Sequence, residues 1–574
     1  MHGPDFGSNL VSVTLPDIVA SMQPPHGTIR LDGKSLTMPL IAASWSNESD
    51  ATIADDPALR ERMERSYQAM RKEIELGFPV YGCNTAYGGR AGRVINEGSR
   101  EERVAQGEAL SAALVFLDVG VGQTLPKEIV RAAMAIRANM LLGGVSGIRL
   151  QPVETLIRLL NADITPKVQE YGGIGASGDL IHNQRVVSVL RGLPGALAVG
   201  PNGSVEESAD LLARHGIEPL QLAPKEGLAL VNGDNFSAAM AAYATQKVSQ
   251  CFLISIALGA MTIEVLKGTD RPFHPLLSKV RAHEGQREIA DLYRYLLQDS
   301  KLAFQELRGH ILREPGVNVQ EAYSLRCLPQ YEGAMLEQLK WCVETITVNV
   351  NSSSDNPLWV AEECATPGEV PWQWISGGNF MAMHMAEALD TLRKITTQLV
   401  KKHDRHLARL IDANDSNGLP ANLSCPDSSV THCTFKGVQI LSGMLEVQSM
   451  MLANPVTTLF GIHEERNQDI TSHATTSGNL ALKNLELLKY SISGNLLAVA
   501  QAVDLRGGPV KLSPRSRPLY RFVREHCDFV REERPLHQDI ETIAATIEDG
   551  SLVTTLLRDV MLGFTLSNCY TADA

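Results

Sequence analysis

The amino-acid sequence predicts a mainly α-helical protein, built as a bundle of long central helices with a smaller mixed lobe at the N-terminus. Aromatic residues make up only 5% of the chain, and its long stretches are dominated by Ala, Leu, Met, Glu, Gln and Arg, a composition that favours helix. At 574 residues the chain is too long for one ordinary core, so two lobes or one body around very long helices are expected. We place an N-terminal domain at 1–235 and a helix-bundle domain at 236–574.

The N-terminal lobe combines irregular segments with helices of moderate length. Residues 1–50 mix short β-branched runs with Pro and Gly, which predicts loops and a small hairpin. Apolar residues recur at helical spacing over 55–76, and Gly77-Phe78-Pro79 ends that helix. Further helices are predicted at 100–116, 126–142, 153–162 and 180–190.

The C-terminal domain carries the long helices of the predicted bundle. The spacing of apolar residues predicts them at 236–266, 335–350, 381–403, 435–452, 481–503 and 540–562. Runs of this length predict a core of parallel and antiparallel helices, with polar loops inserted between them.

The charge distribution and the cysteines indicate which partners and which cell compartment to expect. The formal net charge of −13 is spread along the chain, without a basic stripe or tail, which argues against a nucleic-acid partner. Nine cysteines are scattered without a CxxC pair, and this odd number indicates reduced thiols in a cytoplasmic protein.

The N-terminus and the hydropathy pattern predict neither secretion nor a membrane span. The first residues, Met-His-Gly-Pro-Asp, contain no basic segment and no apolar one. The longest apolar run, 251–263, is shorter than the roughly 18 residues that a membrane span needs. We therefore expect a buried core helix there and no membrane partner.

The most informative stretch is 171–180, which reads Tyr-Gly-Gly-Ile-Gly-Ala-Ser-Gly-Asp-Leu. It could be an ordinary glycine-rich turn, a phosphate cradle or a peptide that cyclises on itself. Cyclisation needs an amide nitrogen that reaches the carbonyl carbon two residues back, and Gly178, which lacks Cβ, allows this approach. That carbonyl belongs to the small Ala176, and the hydroxyl of Ser177 can leave as water. Loss of two waters would give a methylidene-imidazolone ring (MIO), an electrophile that no standard side chain provides.

The phosphate interpretation rests on Gly173, Gly175 and Gly178, which match the dinucleotide pattern G-x-G-x-x-G. That pattern requires a βαβ unit and an acidic residue about 20 positions further on. The region near residue 198 reads Ala-Val-Gly-Pro without an acid, and the surrounding segments are predicted to be helical. We therefore expect no nucleotide cofactor.

Ala-Ser-Gly-Asp-Leu, at residues 176–180, is also a family hallmark. With further motifs that follow in the family's order between Tyr81 and Leu505, the chain resembles the MIO-dependent aromatic amino acid ammonia-lyases and 2,3-aminomutases. The resemblance implies the fold of those enzymes, an MIO formed from Ala176, Ser177 and Gly178, and no metal. His403, His406 and the His432-Cys433 pair lack further ligands at zinc spacing.

A loop rich in Gly and Ala around Tyr81 is typical of a mobile lid. The resemblance implies that Tyr81 is the base that removes a β-proton, although Ala86 replaces the usual glycine of the motif. Because a phenol with a pKa near 10 is a weak base at neutral pH, we expect cations, backbone amides or a helix N-terminus around Tyr81.

The substrate ring is expected to face Phe116 and Leu117, at the end of the 100–116 helix. By resemblance this apolar pair accompanies phenylalanine as substrate, because it cannot satisfy a buried hydroxyl or imidazole. By resemblance Gln468 also indicates phenylalanine rather than histidine as substrate, because histidine-specific relatives carry an acid at this position. Glu464, one helical turn before Gln468, is expected near the substrate amine.

The other site residues are also implied by resemblance. Arg326 is expected to hold the substrate carboxylate through two parallel hydrogen bonds, with Tyr323 one helical turn before it. Asn232 is expected as a donor to the MIO carbonyl oxygen. The remaining substrate-binding candidates are Leu228, Gln320, Asn356 and Phe380.

Four further positions depart from the family pattern. Glu321 replaces an aspartate and Asp234 replaces a threonine, Asn349 stands where an acid is usual, and Met381 replaces a glutamine. Because Asp234 is a departure, the sequence does not predict which hydrogen bonds form around it. His182 and Asn183 are also more polar than expected. They could support the site residues from behind or lie on an exposed helix face, and we expect the exposed face.

The resemblance implies non-oxidative deamination of L-phenylalanine to trans-cinnamate and ammonia, with L-tyrosine and coumarate as the alternative substrate and product. An aminomutase would use the same residues and return the amine to the β-carbon. A helical assembly protein whose Ala-Ser-Gly never cyclises is a third, non-enzymatic hypothesis. By resemblance the chain forms a homotetramer in which the Tyr81 and Ser177 loops meet the Arg326 loop of a neighbour and the Glu464 segment of a third subunit.

Overall fold

Helices make up most of the computed structural model, which describes residues 13–22, 27–306, 320–362, 365–429, 431–561 and 564. The strands are short and pair in small groups of two or three. The prediction of a mainly α-helical protein is confirmed.

The N-terminal part contains most of the strands. Its helices are α1 (Leu15–Ser21), α2 (Met38–Ala43), α3 (Pro57–Leu76), α4 (Arg100–Ala113), α5 (Lys127–Leu141), α6 (Gln151–Asn161), α7 (Leu180–Leu190), α8 (Ser208–Arg214) and α9 (Glu226–Val231). Its strands are β1 (Ile29–Leu31), β2 (Ala51–Ile53), β3 (Val121–Thr124), β4 (Thr165–Pro166), β5 (Gln169–Tyr171), β6 (Leu197–Val199) and β7 (Val205–Glu207).

In the described part of this segment, residues 13–22 and 27–50, the expected hairpin does not form. β1 pairs with β2 in parallel, with Ile29 opposite Ala51, and α2 lies between the two strands in the chain. A parallel pair needs such a crossover, whereas a hairpin gives antiparallel strands. The other pairs, β3 with β5 and β4-β6-β7, are antiparallel.

α3 shows why the helix predictions of this region hold. The carboxylate of Asp56 accepts a hydrogen bond from the amide of Ala58, and Pro57 occupies the first helical position. Gly77 ends the helix in the left-handed conformation, with φ of 87°, which glycine adopts without a Cβ clash. Both ends of the helix are therefore set by residues that the sequence shows.

The C-terminal part is the predicted bundle of long helices. Its helices are α10 (Asn235–Val265), α11 (Pro275–Lys279), α12 (Glu284–Leu297), α13 (Tyr323–Arg326), α14 (Leu328–Val350), α15 (Met383–Ile411), α16 (Lys436–Leu452), α17 (Ala474–Leu505), α18 (Arg517–His526), α19 (His537–Glu548) and α20 (Ser551–Leu556). The strands β8 (Leu358–Val360) and β9 (Gln373–Ile375) form an antiparallel pair.

The centre of the bundle is α10, a 31-residue helix that is buried along nearly its whole length. It packs against α5, α14, α15 and α17, and α15 also lies along α17. By length and composition Glu226–Val265 could cross a membrane, but its most apolar window is buried inside the protein. The expected buried core helix at 251–263 is confirmed.

The last predicted helix is divided. Gly550 adopts a left-handed conformation, with φ of 79°, so α19 ends at Glu548 and α20 begins at Ser551. The predicted end of this helix, residue 562, lies outside the described residues. Three other helices are longer than predicted, since α14 begins at Leu328, α15 ends at Ile411 and α17 begins at Ala474.

Candidate functional site

The Ala176-Ser177-Gly178 turn lies between β5 and α7. Gly178 has a φ of +71°, and a Cβ added there would lie 2.5 Å from the carbonyl carbon and oxygen of Gly233. Contacts under 3 Å between such atoms do not occur in folded proteins, so this position accepts glycine alone. Ala176 is buried, while Ser177 keeps part of its surface.

The turn is anchored to the first turn of α10. The amide of Asp179 donates to the carbonyl of Gly233 over 2.8 Å. The Asp179 carboxylate accepts hydrogen bonds from the amide and the hydroxyl of Ser237, both at 2.7 Å, where a negative charge is favoured by the helix dipole. Burial raises the pKa of Asp179 to about 7, although these hydrogen bonds oppose the shift.

Two long helices also begin at this turn. The carbonyl of Gly175 accepts a 2.8 Å hydrogen bond from the hydroxyl of Ser472, just before α17. It also accepts a 3.2 Å bond from the amide of Ala382, just before α15. The turn is therefore fixed by the starting ends of α10, α15 and α17 together.

Two predicted site residues bond directly to Ser177. The side-chain amide of Asn232 donates to the Ser177 carbonyl over 2.8 Å. The side-chain amide of Gln468 donates to the Ser177 hydroxyl, also over 2.8 Å. The carbonyl bonded by Asn232 is the one that would become the ring carbonyl of an MIO.

Tyr81 lies in the loop that precedes α4. Its hydroxyl accepts a 3.0 Å hydrogen bond from the amide of Gly88, and the ring of Tyr87 packs edge-on, with centroids 6.4 Å apart. Burial raises the pKa of Tyr81, and the charge of Glu464 raises it further, while the Gly88 amide lowers it. The expected amide is present, but no cation in the described part of the chain acts on this pKa.

The sequence suggested that Glu464 and Gln468 lie one turn apart on a helix. The structure has no α-helix over these residues. His463 and Gln468 pair through two backbone hydrogen bonds, of 3.0 and 3.2 Å, so the chain turns back on itself. Glu464, Glu465 and Arg466 have φ values of 47°, 51° and 71°, which a helix does not allow.

The same loop corrects the predicted division of the site among subunits. A Cβ on Gly88 would lie 2.9 Å from a carboxylate oxygen of Glu464, and Arg90 pairs with Glu465 over 3.1 Å. Glu464 therefore reaches the Tyr81 loop within one chain. The expectation that a third subunit supplies Glu464 is wrong.

Three further residues that were predicted to bind substrate differ in how close they lie to the Tyr81 loop and the Ser177 turn. Leu228 packs on the Tyr81 loop, because a Cβ on Gly82 would lie 2.1 Å from its Cδ2. Asn356 is buried, and its side-chain oxygen accepts a 2.8 Å bond from the amide of Gly377. Phe380 is half-buried. No contact of these two with Ser177 is seen among the described residues.

Phe116 and Leu117 end a 3₁₀ turn, Leu114–Leu117. This turn packs against α7, the helix that follows the Ala176-Ser177-Gly178 turn. Phe116 is 60% exposed, a large fraction for an aromatic residue beside a predicted site. Leu117 is half-buried, and no contact of either residue with Ser177 is seen among the described residues, so their expected place at the substrate ring stays a prediction.

Arg326 lies far from Ser177 within one chain. Its guanidinium stacks on the ring of Tyr323, 4.5 Å from the centroid, as the helical spacing predicted. The neighbouring carbonyl of Ser324 contacts His406, near the end of α15, whereas Ala382, just before α15, contacts the Ser177 turn. A helix rises about 1.5 Å per residue, so these 24 residues separate the two ends by about 36 Å.

Gln320 belongs to the Arg326 end of the molecule. It is exposed and lines a cavity of about 470 Å³ together with Arg326, Glu321 and Cys327. The predicted site residues therefore fall into two groups, one around Ser177 and one around Arg326.

Several supporting residues escaped sequence analysis. His182 and Asn183 are buried, not exposed as expected, because α7 packs inside the domain. Asn183 donates to the carbonyl of Gly233 over 3.0 Å and so supports the backbone beneath Gly178. Burial lowers the pKa of His182 to about 4, so its ring is neutral.

Two departures from the family pattern meet in one hydrogen bond. The side-chain amide of Asn349 donates to a carboxylate oxygen of Asp234 over 3.0 Å. Asp234 is buried directly after Gly233, and its amide donates to the hydroxyl of Ser354 over 3.2 Å. In place of the acid that the family pattern has at 349, this chain carries an acid at 234, and the hydrogen bond from Asn349 accommodates it.

A family model described as aromatic amino acid lyase matches residues 36–525. The chain belongs to this family. As an aromatic amino acid lyase relative it is a carbon-nitrogen lyase or a closely related aminomutase, and its fold is that of the MIO enzymes. Within the described residues, no group of three or more His, Cys, Asp or Glu side chains could hold a metal ion.

Similar proteins span several substrates and two reactions. A phenylalanine ammonia-lyase of Nostoc punctiforme is 31% identical over 555 residues, covering 93% of this chain and 94% of the relative. A histidine ammonia-lyase of Anaeromyxobacter dehalogenans is 33% identical over 530 residues, covering 92% and 99%. The crystal structure of a tyrosine aminomutase from Streptomyces globisporus matches with a TM-score of 0.84 at 27% identity, covering 93% and 99%.

The Asp234–Asn349 contact predicts the outcome of a double-mutant cycle. Asn349→Asp alone places two carboxylates 3.0 Å apart and destabilises the protein, whereas adding Asp234→Asn restores one acid and one amide. We expect a favourable coupling energy of about 0.5–3 kcal/mol between the two changes. The measurement is the apparent melting temperature of the wild type, both single variants and the double variant.

The destabilisation of Asn349→Asp should depend on pH. Repulsion raises the pKa of the paired carboxyls in the folded state above the unfolded value, so stability falls as pH rises through the raised pKa and recovers below it. Equal losses at pH 5 and pH 8, or a double variant no better than Asn349→Asp, would contradict this contact.

Proposed function

We propose that this chain is an aromatic amino acid ammonia-lyase that converts L-phenylalanine to trans-cinnamate and ammonia. The observation that carries the proposal is the Ser177 turn. Asn232 holds the Ser177 carbonyl, Gln468 holds its hydroxyl, and the Gly178 backbone is pressed on Gly233. An ordinary glycine-rich turn needs none of these contacts.

The turn fits the residues that an MIO requires. Gly178 presents an amide without a Cβ, Ala176 offers a buried carbonyl, and Ser177 carries the hydroxyl to be lost. Once formed, the MIO would supply an electrophile that makes the substrate amine a better leaving group. Asn232 already bonds the carbonyl that the ring would retain, where a donor stabilises developing negative charge.

Tyr81 is the proposed base for the β-proton. Burial makes its phenolate costly, and the hydrogen bond from the Gly88 amide favours that charged form. A base buried away from water is also a stronger one once it is ionised. Positive charge near Tyr81 would favour ionisation further, and a neighbouring subunit can bring it through Arg326.

The residues expected at the substrate ring support phenylalanine. Phe116 and Leu117 have no polar group for a phenolic hydroxyl or an imidazole, and a buried polar group without a partner costs about 1–3 kcal/mol. Gln468 is neutral and already bonded to Ser177, so it offers no charge to a histidine substrate. These residues favour phenylalanine over the histidine of other relatives.

An aminomutase is the second candidate, because the tyrosine aminomutase structure matches over 93% of this chain. Both reactions need the same electrophile, base and carboxylate site. They differ in whether the unsaturated acid leaves before the amine returns to the β-carbon.

We propose further that the enzyme is a homotetramer with shared sites. Two observations support this. About 36 Å of helix separates the Arg326 end of α15 from its Ser177 end, so one chain alone cannot bring both groups to one substrate. Tight binding of the carboxylate then requires Arg326 from another copy.

An apolar face on α16 supports the same assembly. Ile440, Met444, Val447 and Met451 are each more than half exposed and lie on one side of the helix. The opposite side, with Val438 and Leu445, is buried against the bundle. A helix that is apolar on both sides is normally buried on both sides, and a second copy of the chain would cover this one.

Free thiols support a cytoplasmic location. The cysteines that the structure describes, from Cys83 to Cys527, are all unpaired. Proteins of the reducing cytoplasm keep their thiols in this state.

The reaction is tested by incubating the protein with L-phenylalanine, L-tyrosine and L-histidine separately and identifying the products. We expect trans-cinnamate and ammonia from phenylalanine as the main products. Ser177→Ala should reduce turnover by at least about 10³-fold without lowering the melting temperature. Ser429→Ala, which changes an exposed serine outside the site, should leave turnover unchanged. β-Phenylalanine as main product would establish the aminomutase instead, and retained activity of Ser177→Ala would refute the covalent scheme.

Shared sites are tested by complementation between two impaired variants. Ser177→Ala lacks the electrophile and Arg326→Ala lacks the carboxylate clamp, so each alone should be nearly inactive at subsaturating phenylalanine. Co-expression in equal amounts should restore up to about a quarter of wild-type activity, because random assembly gives that share of sites both intact halves. The presence of mixed oligomers is confirmed by mass measurement. If such oligomers show no recovery of activity, the two groups act within one chain and the shared site is refuted.

A further inference from the structure

The short helix that carries Arg326 is held by a histidine from α15. α13 has only four residues, Tyr323–Arg326, too few to be stable by themselves. Leu325 is buried beneath it, and the carbonyl of Ser324 accepts a 2.7 Å hydrogen bond from Nε2 of His406. Arg326 is two residues from this bond, so His406 contacts the turn that orients it.

The His406 ring makes this hydrogen bond from a buried position. It is 1% exposed, and its Nδ1 is buried without a hydrogen-bond partner among the described residues. Burial lowers the pKa of His406 to about 3, and Lys402 adds to the shift. The ring is therefore neutral, and with Nε2–H donating to Ser324 the unprotonated nitrogen is the one left without a partner.

The part of α15 around His406 is hydrogen-bonded to α14 and α10, and through Glu332 of α14 it is linked to α12. One turn earlier, the ammonium of Lys402 donates to Glu332 of α14 over 2.6 Å and to the carbonyl of Ser255 in α10 over 2.9 Å. The hydroxyl of Tyr293 in α12 donates to the same carboxylate over 2.8 Å. Lys402 and Glu332 are both almost fully buried, so this segment has little freedom to move.

We propose that His406 is a positioning residue for substrate binding: it fixes the Ser324 carbonyl, and through it the direction of the Arg326 guanidinium. The proposal rests on the function proposed above, in which Arg326 holds the substrate carboxylate. His406 is not a catalytic residue, because it touches neither the substrate nor the Ser177 turn.

The role predicts a specific kinetic signature. The carboxylate is the same in the substrate, in the transition state and in the unsaturated product, so Arg326 contributes binding that is uniform along the reaction. Loss of uniform binding raises KM and leaves kcat nearly unchanged. Product binding should weaken by the same factor as substrate binding.

The experiment compares two histidines one helical turn apart. His406→Leu removes the donor to Ser324, and His406→Gln keeps an N–H at a similar reach. His403→Leu is the matched control, because His403 is equally buried but contacts the hydroxyl of Ser491 in α17 over 3.2 Å. For each variant, KM and kcat are measured with the aromatic amino acid that the wild type converts, and trans-cinnamate binding is measured by calorimetry.

We expect His406→Leu to raise KM and the cinnamate dissociation constant by about tenfold to a hundredfold, with kcat within a factor of about three of wild type. His406→Gln should recover a large part of this loss. His403→Leu should lower the melting temperature at least as much while leaving both constants near wild type. If His406→Leu and His403→Leu weaken binding equally, or neither weakens it, the positioning role is wrong.

Calorimetry keeps this test separate from the test of the proposed function. If the wild type converts none of the three amino acids and does not bind cinnamate, the proposed function fails, and the positioning role fails with it. If the wild type binds cinnamate and His406→Leu binds it equally well, the positioning role alone fails.

Discussion

Contact between two backbones, Gly178 on Gly233, determines where everything else in the site can lie. A single carbon atom added at Gly178 would overlap the Gly233 carbonyl, at 2.5 Å. The amide of Asp179 bonds to that carbonyl from the same side. Because Asn232 immediately precedes Gly233, the same contact places its side-chain amide at 2.8 Å from the Ser177 carbonyl. The Ala176-Ser177-Gly178 turn and its donor Asn232 are thus positioned by one close approach.

A buried guanidinium, that of Arg137, packs against Gly233 and so supports its contact with Gly178. A Cβ on Gly233 would lie 1.9 Å from the guanidinium of Arg137, which donates to the carbonyl of Ser354 over 2.6 Å. Burial lowers the pKa of Arg137, while Asp355, Asp234 and Asp179 counteract this shift. Removing one member of such a set would leave the others buried without compensation, at a cost of several kcal/mol. The site is therefore rigid on the side of the Ser177 turn, which suits the electrophile proposed there.

The sequence predicted what depends on local chemistry and missed what depends on tertiary packing. The ends of α3 were predictable because Pro57 and Gly77 have fixed conformational roles. Asn232 and Gln468 were found through resemblance, and the structure brings both to Ser177. The left-handed residues at Glu464 and Glu465 have no sequence signal, so that loop was mistaken for a helix. His182 looked exposed because polarity does not reveal which helix face packs inward.

The division of the site between two ends of α15 also depends on tertiary structure, since sequence spacing does not give the distance from Arg326 to Ser177. His406 was unremarkable in the sequence, and its role follows from its hydrogen bond to Ser324. Asn349 departed from the family pattern, and its role follows from its hydrogen bond to Asp234.

The central claim is that the three residues held by this contact dehydrate into an electrophilic ring. Intact mass spectrometry of freshly purified protein tests it most directly, with Ser177→Ala as reference. The account predicts a wild-type chain lighter than its sequence by two water molecules, with the loss confined to the peptide that contains Ala176, Ser177 and Gly178. A fully active protein with the unmodified mass would contradict it.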